Sequence, residues 1–414
     1  TPKEGQRPMK KSFLLLLAAT SLLASCSTPT PPKPVANIDL ITPANGEDVS
    51  ILDEKVQEYI DAFQEANADE DPYTIPAEIV SPGVYVNEYY RDDYSTIAAK
   101  PVKLEFAPKE GVVDEDFTVY FADNEDFEDA IALSAPNHEV ELHNLYCDTD
   151  YFWKVEAPSG AFSDVGTFHT LSPIRFIGAT ISKNVRDIGG KMTSSGRRVK
   201  QGLIYRGAEL HKEEYAPDPN NKHQSLLDDE GIEILHDQLN IRYELDLRNA
   251  GSESNNQNAS QLGEDVDFTR IPSGSYANII NVDRNKNDYA NMFRYFNNSV
   301  EGDGAVYFHC WGGADRTGTI AFLLEGLLGC SYMDMCIDYE LTSFEWSLRR
   351  RDVKVTDNHG YSYDFPNLIS TIKKSTYWEE GKPIADFVKD WMIGALGMSE
   401  DEIETLKENL LEEE

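Results

Sequence analysis

Positive charge is scarce in this chain. Its 414 residues carry 37 lysines and arginines against 73 aspartates and glutamates, a formal net charge of -36. Such a field repels polyanions, so nucleic acid and anionic lipid surfaces are not expected as partners of the protein body. Any anionic substrate must be caught by a local site that outweighs the global field. Cysteine is scarce too, at five residues, which excludes a dense disulfide framework. No set of histidine, cysteine and aspartate has metal-ligand spacing, so neither a metal nor a cofactor is expected. No apolar run reaches the roughly 20 residues of a transmembrane helix. What is present suits a globular protein: 40% hydrophobic and 27% charged residues, over a length that suggests two to three domains.

The opening "TPKEGQRP" shows no structural pattern and reads as an upstream extension. From Met9 the order is two lysines, an apolar run and small residues, "MKKSFLLLLAATSLLASCS". That is the order of a secretory signal. Its end, "LASC" (23–26), resembles the lipobox of bacterial lipoproteins. The resemblance implies lipid attachment at Cys26 and an exported, membrane-anchored protein of a bacterial cell envelope, in the periplasm or at the cell surface. The alternative is a core helix with an incidental cysteine. Residues 1–25 are thus expected to be extension and signal peptide. Residues 26–40 are expected to be a Pro/Thr-rich, semi-extended linker holding the body off the membrane. Four cysteines remain, Cys147, Cys310, Cys330 and Cys336. Cys330 and Cys336 read as buried apolar residues in or near helices.

Residues 41–171 are expected to hold a helix and a small β-sandwich. "EKVQEYIDAFQEA" (54–66) has helical periodicity. Short alternating stretches then follow between turn residues: "VKLEFAP" (102–108), "DFTVYFADN" (116–124), "VELHNL" (140–145), "DYFWKVEAP" (150–158) and "SDVGTFHT" (163–170). The run from "VELHNL" to "GTFHT" resembles the end of a fibronectin type III domain. Tyr151, Trp153 and Val155 would point to one side and pack the core. No catalytic cluster appears there, which suits a spacer or binding module.

Residues 172–414 change character. The stretches "NVRDIGG" (184–190), "VKQGLIYRGAEL" (199–210), "GIEILHDQLNIRYELDLRN" (231–249) and "VYFHCWGGADRTGT" (306–319) alternate with helical patterns. The helices are expected over 287–299, 317–329, 333–349, 383–395 and 399–412. This order implies an α/β domain with a central sheet flanked by helices. "IRYELDLRN" and "AVYFHC" read as central strands whose carboxyl ends face a site, the usual ligand position in such sheets.

In "VYFHCWGGADRTGT" a thiol ends the strand, two glycines let the backbone turn, and a guanidinium opens the helix. A phosphate in such a loop would meet inward-pointing N–H groups and the positive end of the helix. Arg316 could grip two of its oxygens with a planar fork. A thiolate is favoured in that field and would sit below the phosphorus for in-line attack.

The Cys-x5-Arg-Thr spacing, with an apolar strand ending in His309 and a Thr-Gly helix start, resembles the signature loop of cysteine-dependent tyrosine phosphatases. "NVRDIGG", "GRRVKQGLIYRGAEL" and "YELDLRN" are similar to stretches of the bacterial members of that family, and "GMSEDEIETLKENLL" fits their final helix. The resemblance covers about residues 175–350 and implies these roles: Cys310 is the nucleophile, Arg316 binds the phosphate and stabilises equatorial charge, and Thr317 helps the thiolate leave. Trp311, Gly312, Gly313, Ala314 and Asp315 supply the N–H cradle.

Two departures from the family pattern matter. Ala314 stands where the group often has a lysine tied to polyphosphorylated head groups. No Trp-Pro-Asp acid loop is present, and "TRIPSGSYAN" (269–278) offers no aspartate in its place. The candidate general acids are Asp315, whose plainer role is bonding to loop amides, and Asp246, whose plainer role is pairing with Arg248 or Arg206. The basic run "SLRRRD" (347–352) reads as a solvated helix face.

The expectation is therefore a multidomain, lipid-anchored phosphatase. It would hydrolyse phosphomonoesters through a phosphocysteine, on a phosphorylated protein (phosphotyrosine, with dual specificity open) or a small phosphoester. Two alternatives stay open: a phosphoinositide or inositol phosphate phosphatase, and a catalytically weak phosphate-binding surface module.

Overall fold

Alternation of apolar and polar residues builds the N-terminal half as strands. The computed structural model describes residues 35–76, 89, 98–171, 174–178, 182–211, 227–250, 257–282, 285–302, 304–345 and 364–413. The signal-like stretch, Cys26, most of the linker and the basic run 347–352 lie outside the described residues. In chain order come β1 (Ile38–Thr42), β2 (Glu47–Ser50), α1 (Glu54–Ala66), β3 (Val102–Pro108), β4 (Thr118–Ala122), β5 (Ile131–Ser134), β6 (Glu139–Leu142), β7 (Asp150–Glu156) and β8 (Gly166–Leu171). They make two sheets, in the orders β1-β3-β6 and β2-β8-β7-β4-β5. Pairing is antiparallel except between β2 and β8.

Inward side chains of both sheets meet in one apolar cluster. Leu104 and Phe106 of β3 join Val119 of β4, Tyr151, Trp153 and Val155 of β7, and Phe168 of β8. The three β7 residues point the same way, as a period of two requires. Gly166 lies opposite Trp153, and a Cβ there would come within 2.9 Å of the indole nitrogen. The glycine makes room for the ring.

The C-terminal half runs β9 (Arg186–Asp187), β10 (Ile204–Gly207), α2 (Asp229–Ile232), β11 (Ile241–Asp246), β12 (Asp267–Arg270), α3 (Ala277–Ile280), α4 (Lys286–Tyr295), α5 (Asn298–Glu301), β13 (Ala305–His309), α6 (Arg316–Leu328), α7 (Tyr332–Glu345), α8 (Asp364–Lys374), α9 (Ile384–Trp391) and α10 (Glu400–Leu410). The sheet order is β12-β11-β13-β10-β9, parallel except at edge strand β9. Every β13 residue is buried. Val306 and Phe308 pack with α6, α7 and α9 on one face, while Ala305 and Tyr307 pack with Tyr205, Ile234 and Leu235 on the other. A strand covered on both faces reads as a continuous apolar run, as "AVYFH" does.

Two expectations need correction. The stretch 231–249 is not strand throughout. Asp228 caps a helix by accepting from the Gly231 N–H at 2.8 Å, and a wide π turn carries that helix to Gln238. Helix 54–66 has the expected bounds but does not pack with the strands that follow it. Its stripe Val56, Tyr59, Ile60 and Phe63 belongs to the same core as α6 and α7. Grouping it with 41–171 follows chain order, not packing. The two halves are joined at the 144–148 turn, where Gln201 exchanges hydrogen bonds with the Cys147 backbone at 2.7 and 2.9 Å.

Parallel register aligns the strand ends. Gly207, His309, Asp246 and Arg270 lie side by side across β10, β13, β11 and β12. Whatever follows β13 is therefore presented at the carboxyl edge of the sheet.

Candidate active site

Cys310 is the first residue past that edge, 3% exposed. The chain then turns through Gly312 and Gly313. Gly313 has φ +66°, and a Cβ there would fall 2.4 Å from the Gly207 carbonyl oxygen. Only glycine fits this close approach. Arg316 opens α6, half-buried. The helical ladder begins with Gly318 and Thr319, whose N–H groups bond to the Ala314 and Asp315 carbonyls at 3.0 and 2.9 Å. The amides ahead of them belong to a helix N-terminus, where N–H groups lack intrahelical acceptors and the dipole is positive. Thr317 is buried, and its hydroxyl has no hydrogen-bond partner among the described residues. The arrangement can cradle a small anion above a thiol.

Buried struts hold the loop from behind. Asn184, itself at φ +61°, donates to the Gly312 carbonyl at 3.0 Å. Arg206 donates to the Gly313 carbonyl at 2.8 Å. Asp338 of α7 pairs with both Arg206 and Arg186, the latter at 2.7 Å. Burial opposes ionisation of Asp338, but the two guanidinium groups outweigh it and hold the carboxyl well below the usual range. Burial, and then the nearby Arg186, pull Arg206 down to about 10, so it stays charged at neutral pH. Chain order alone does not connect Asn184, Arg186 or Asp338 with the loop, and it offers Arg206 only as a partner for Asp246. The available signal was charge at apolar positions, such as Asp338 within "MCIDYEL".

His309 ties the strand end to its neighbour. Its Nδ1 donates to the Cys310 carbonyl at 3.0 Å, and its Nε2 lies 2.9 Å from Glu244 Oε1. Next to it, Asp246 is fully buried and bound by Arg248 and Arg270, each at 2.9 Å. Burial would raise its pKa, but His309 and Arg248 outweigh that and keep it well below the carboxylate range. A carboxyl held ionised by two arginines has no proton to give, so Asp246 does not fit the acid role. Its pairing with Arg248 is present, whereas Arg206 pairs with Asp338 and serves the loop.

Asp315 behaves differently. It is half-buried and makes no side-chain cap to the helix. Its Oδ1 instead accepts from the Tyr276 hydroxyl at 2.7 Å. Tyr276 comes from "TRIPSGSYAN", the stretch that lacks an acid.

Known proteins share stretches of this chain. A relative from Cupriavidus necator, named as a tyrosine-protein phosphatase, is 28% identical over 181 residues. The match covers 39% of this chain and 60% of the relative's length. Among solved structures, the core catalytic domain of the PP-IP phosphatase SIW14 from S. cerevisiae, in complex with citrate, matches at 16% identity. That match has a TM-score of 0.23 and covers 43% of this chain and 90% of the other. The family profile described as the tyrosine phosphatase family matches residues 179–412, more than half of the chain, which includes the whole loop from Cys310 to Arg316. The chain belongs to the tyrosine phosphatase family.

Proposed function

We propose that the protein hydrolyses phosphomonoesters in two steps through a phosphocysteine on Cys310. The observation that carries this is a buried thiol at the carboxyl edge of the sheet, followed by a glycine turn and a helix opened by Arg316. In the first step the Cys310 sulfur attacks phosphorus and the bond to the leaving oxygen breaks. Asp315 gives that oxygen a proton. Arg316 and the N–H groups of residues 311–315 balance the charge on the equatorial oxygens. In the second step water attacks phosphorus and Asp315 takes its proton. The sulfur–phosphorus bond breaks, inorganic phosphate forms, and the Thr317 hydroxyl, without a hydrogen-bond partner among the described residues, donates to the departing thiolate.

Phosphotyrosine, on a protein or as another aryl ester, is the substrate class we favour. Half-buried Trp311 can flank an aromatic leaving group. Buried Ala314 adds no cation to the loop, which weighs against a polyphosphorylated inositol ring. A module that only bound phosphate would need neither a leaving-group acid nor Thr317. We also propose export with lipid attachment at Cys26, supported by the order of residues 9–26. The N-terminal strands would then form a fibronectin type III-like spacer, a reading supported by their shared core.

The test is hydrolysis of an aryl phosphate without added metal. The parent should turn over, Cys310→Ser should fall to background, and Asp315→Asn should lose about 10²–10⁴-fold. Full activity in Cys310→Ser would end the proposal.

A further inference from the structure

Tyr276 has an uncommon backbone for its size. Its φ is 52° and its ψ is -128°, a region that L side chains rarely adopt. Such a conformation persists where its surroundings over-determine it, and it tends to occur at functional sites. Here the backbone N–H and the side-chain hydroxyl both lead to Asp315. The Tyr276 N–H donates to Thr319 Oγ1 at 2.9 Å, and the Thr319 hydroxyl donates to the Asp315 carbonyl at 2.7 Å. The Tyr276 hydroxyl donates to Asp315 Oδ1 at 2.7 Å. A phenol has one proton, so the Tyr339 hydroxyl, 2.8 Å away, donates to Tyr276 in turn. One residue is thus fixed to both the main chain and the side chain of Asp315.

Tyr339 directly follows Asp338, the residue that pins Arg206 against the Gly313 carbonyl. Adjacent positions on α7 therefore brace the loop backbone and, through Tyr276, the Asp315 carboxyl. Both tyrosines are buried, and their rings meet edge to face at 6.3 Å. Proton transfer needs the Asp315 carboxyl within hydrogen-bond reach of the leaving oxygen.

We propose that Tyr276 is a positioning residue: its hydroxyl, backed by Tyr339, orients the Asp315 carboxyl for proton transfer to the leaving group. The segment that lacks an aspartate would then contribute by aiming one carried on the phosphate loop. This inference rests on the acid role given to Asp315 above.

The experiment compares para-nitrophenyl phosphate with phenyl phosphate in Tyr276→Phe, Tyr339→Phe and Asp315→Asn of the full chain. Phenol leaves poorly without a proton, and para-nitrophenol leaves well. Tyr276→Phe should lower kcat on phenyl phosphate by about three- to ten-fold, the worth of one hydrogen bond to a neutral carboxyl. It should lower kcat on para-nitrophenyl phosphate much less and leave KM for both near the parent value. Tyr339→Phe should shift the same ratio in the same direction by less, and it supplies the readout if Tyr276→Phe fails to fold. In an Asp315→Asn background, Tyr276→Phe should add little. Equal slowing on both substrates, or no slowing, overturns the inference. If Asp315→Asn separates the substrates and the tyrosine variants do not, this inference alone falls. If Asp315→Asn also leaves the ratio unchanged, the acid role fails with it.

Discussion

The two halves of the molecule treat charge in opposite ways. Around the strands of residues 38–171 the shared core is apolar, and ion pairs such as Lys109–Asp39 and Lys154–Glu156 sit in solvent. Behind the loop after β13, the guanidinium groups of Arg186, Arg206 and Arg248 are fully buried together with Glu244 and Asp246. Burying charge costs several kcal/mol per ion, and well-packed apolar residues are often as stable in its place. Stability alone would therefore favour the first arrangement throughout. The second occurs where loop carbonyls must be held at fixed points: Arg206 on Gly313, Asn184 on Gly312 and His309 on Cys310. The contrast separates a half built for cohesion from a half built for geometry.

That contrast is sharpest at Asp338. Asp338→Asn leaves two buried guanidinium groups uncompensated and should cost about 3–5 kcal/mol, read by denaturant unfolding. Turnover should fall as well, because Arg206 is freed from its place under the loop. The pH dependence has a definite sign. The folded-state pKa of Asp338 is depressed, so its contribution is complete above about pH 4 and is lost as pH falls through the folded value. The stability gap between parent and variant should narrow as pH drops below about 4. A gap that widened in acid would contradict the pairing.

Val155→Ala, in the core of the strand half, should cost about 2 kcal/mol. The kcat of the folded enzyme on an aryl phosphate should stay at the parent value. A loss of kcat comparable to that of Asp338→Asn would erase the distinction between the halves. The smallest effect is expected at the surface. Lys109→Ala breaks an exposed pair with Asp39 and should change stability by less than about 1 kcal/mol, an effect that added salt diminishes.

The sequence makes local features legible and long-range ones obscure. Cys310, the glycines and Arg316 are adjacent in the chain, so their spacing alone describes the loop. The bounds of α1 follow from its apolar stripe, and β13 from its uninterrupted apolar run. The same stripe does not say which core it enters, and α1 crosses to the α/β layer. Asp338 meets Arg186 across 152 residues, and Tyr276 meets Asp315 across 39. No periodicity encodes such pairings; parallel register and helix placement create them. Asp246 shows the same limit. Its position at a strand end suits an acid and its pairing with Arg248 is local, but the second arginine that holds it, Arg270, is apparent only once β11 and β12 lie side by side.

The central claim is that Cys310 takes the phosphoryl group, and rapid quenching during turnover of an aryl phosphate tests it most directly. Mass analysis of the quenched parent should find one phosphoryl group on the peptide containing Cys310, in greater amount in Asp315→Asn if the second step is slowed more than the first, and none in Cys310→Ser. A turning-over enzyme with its phosphoryl group on another residue, or turnover that persists in Cys310→Ser, would contradict the account.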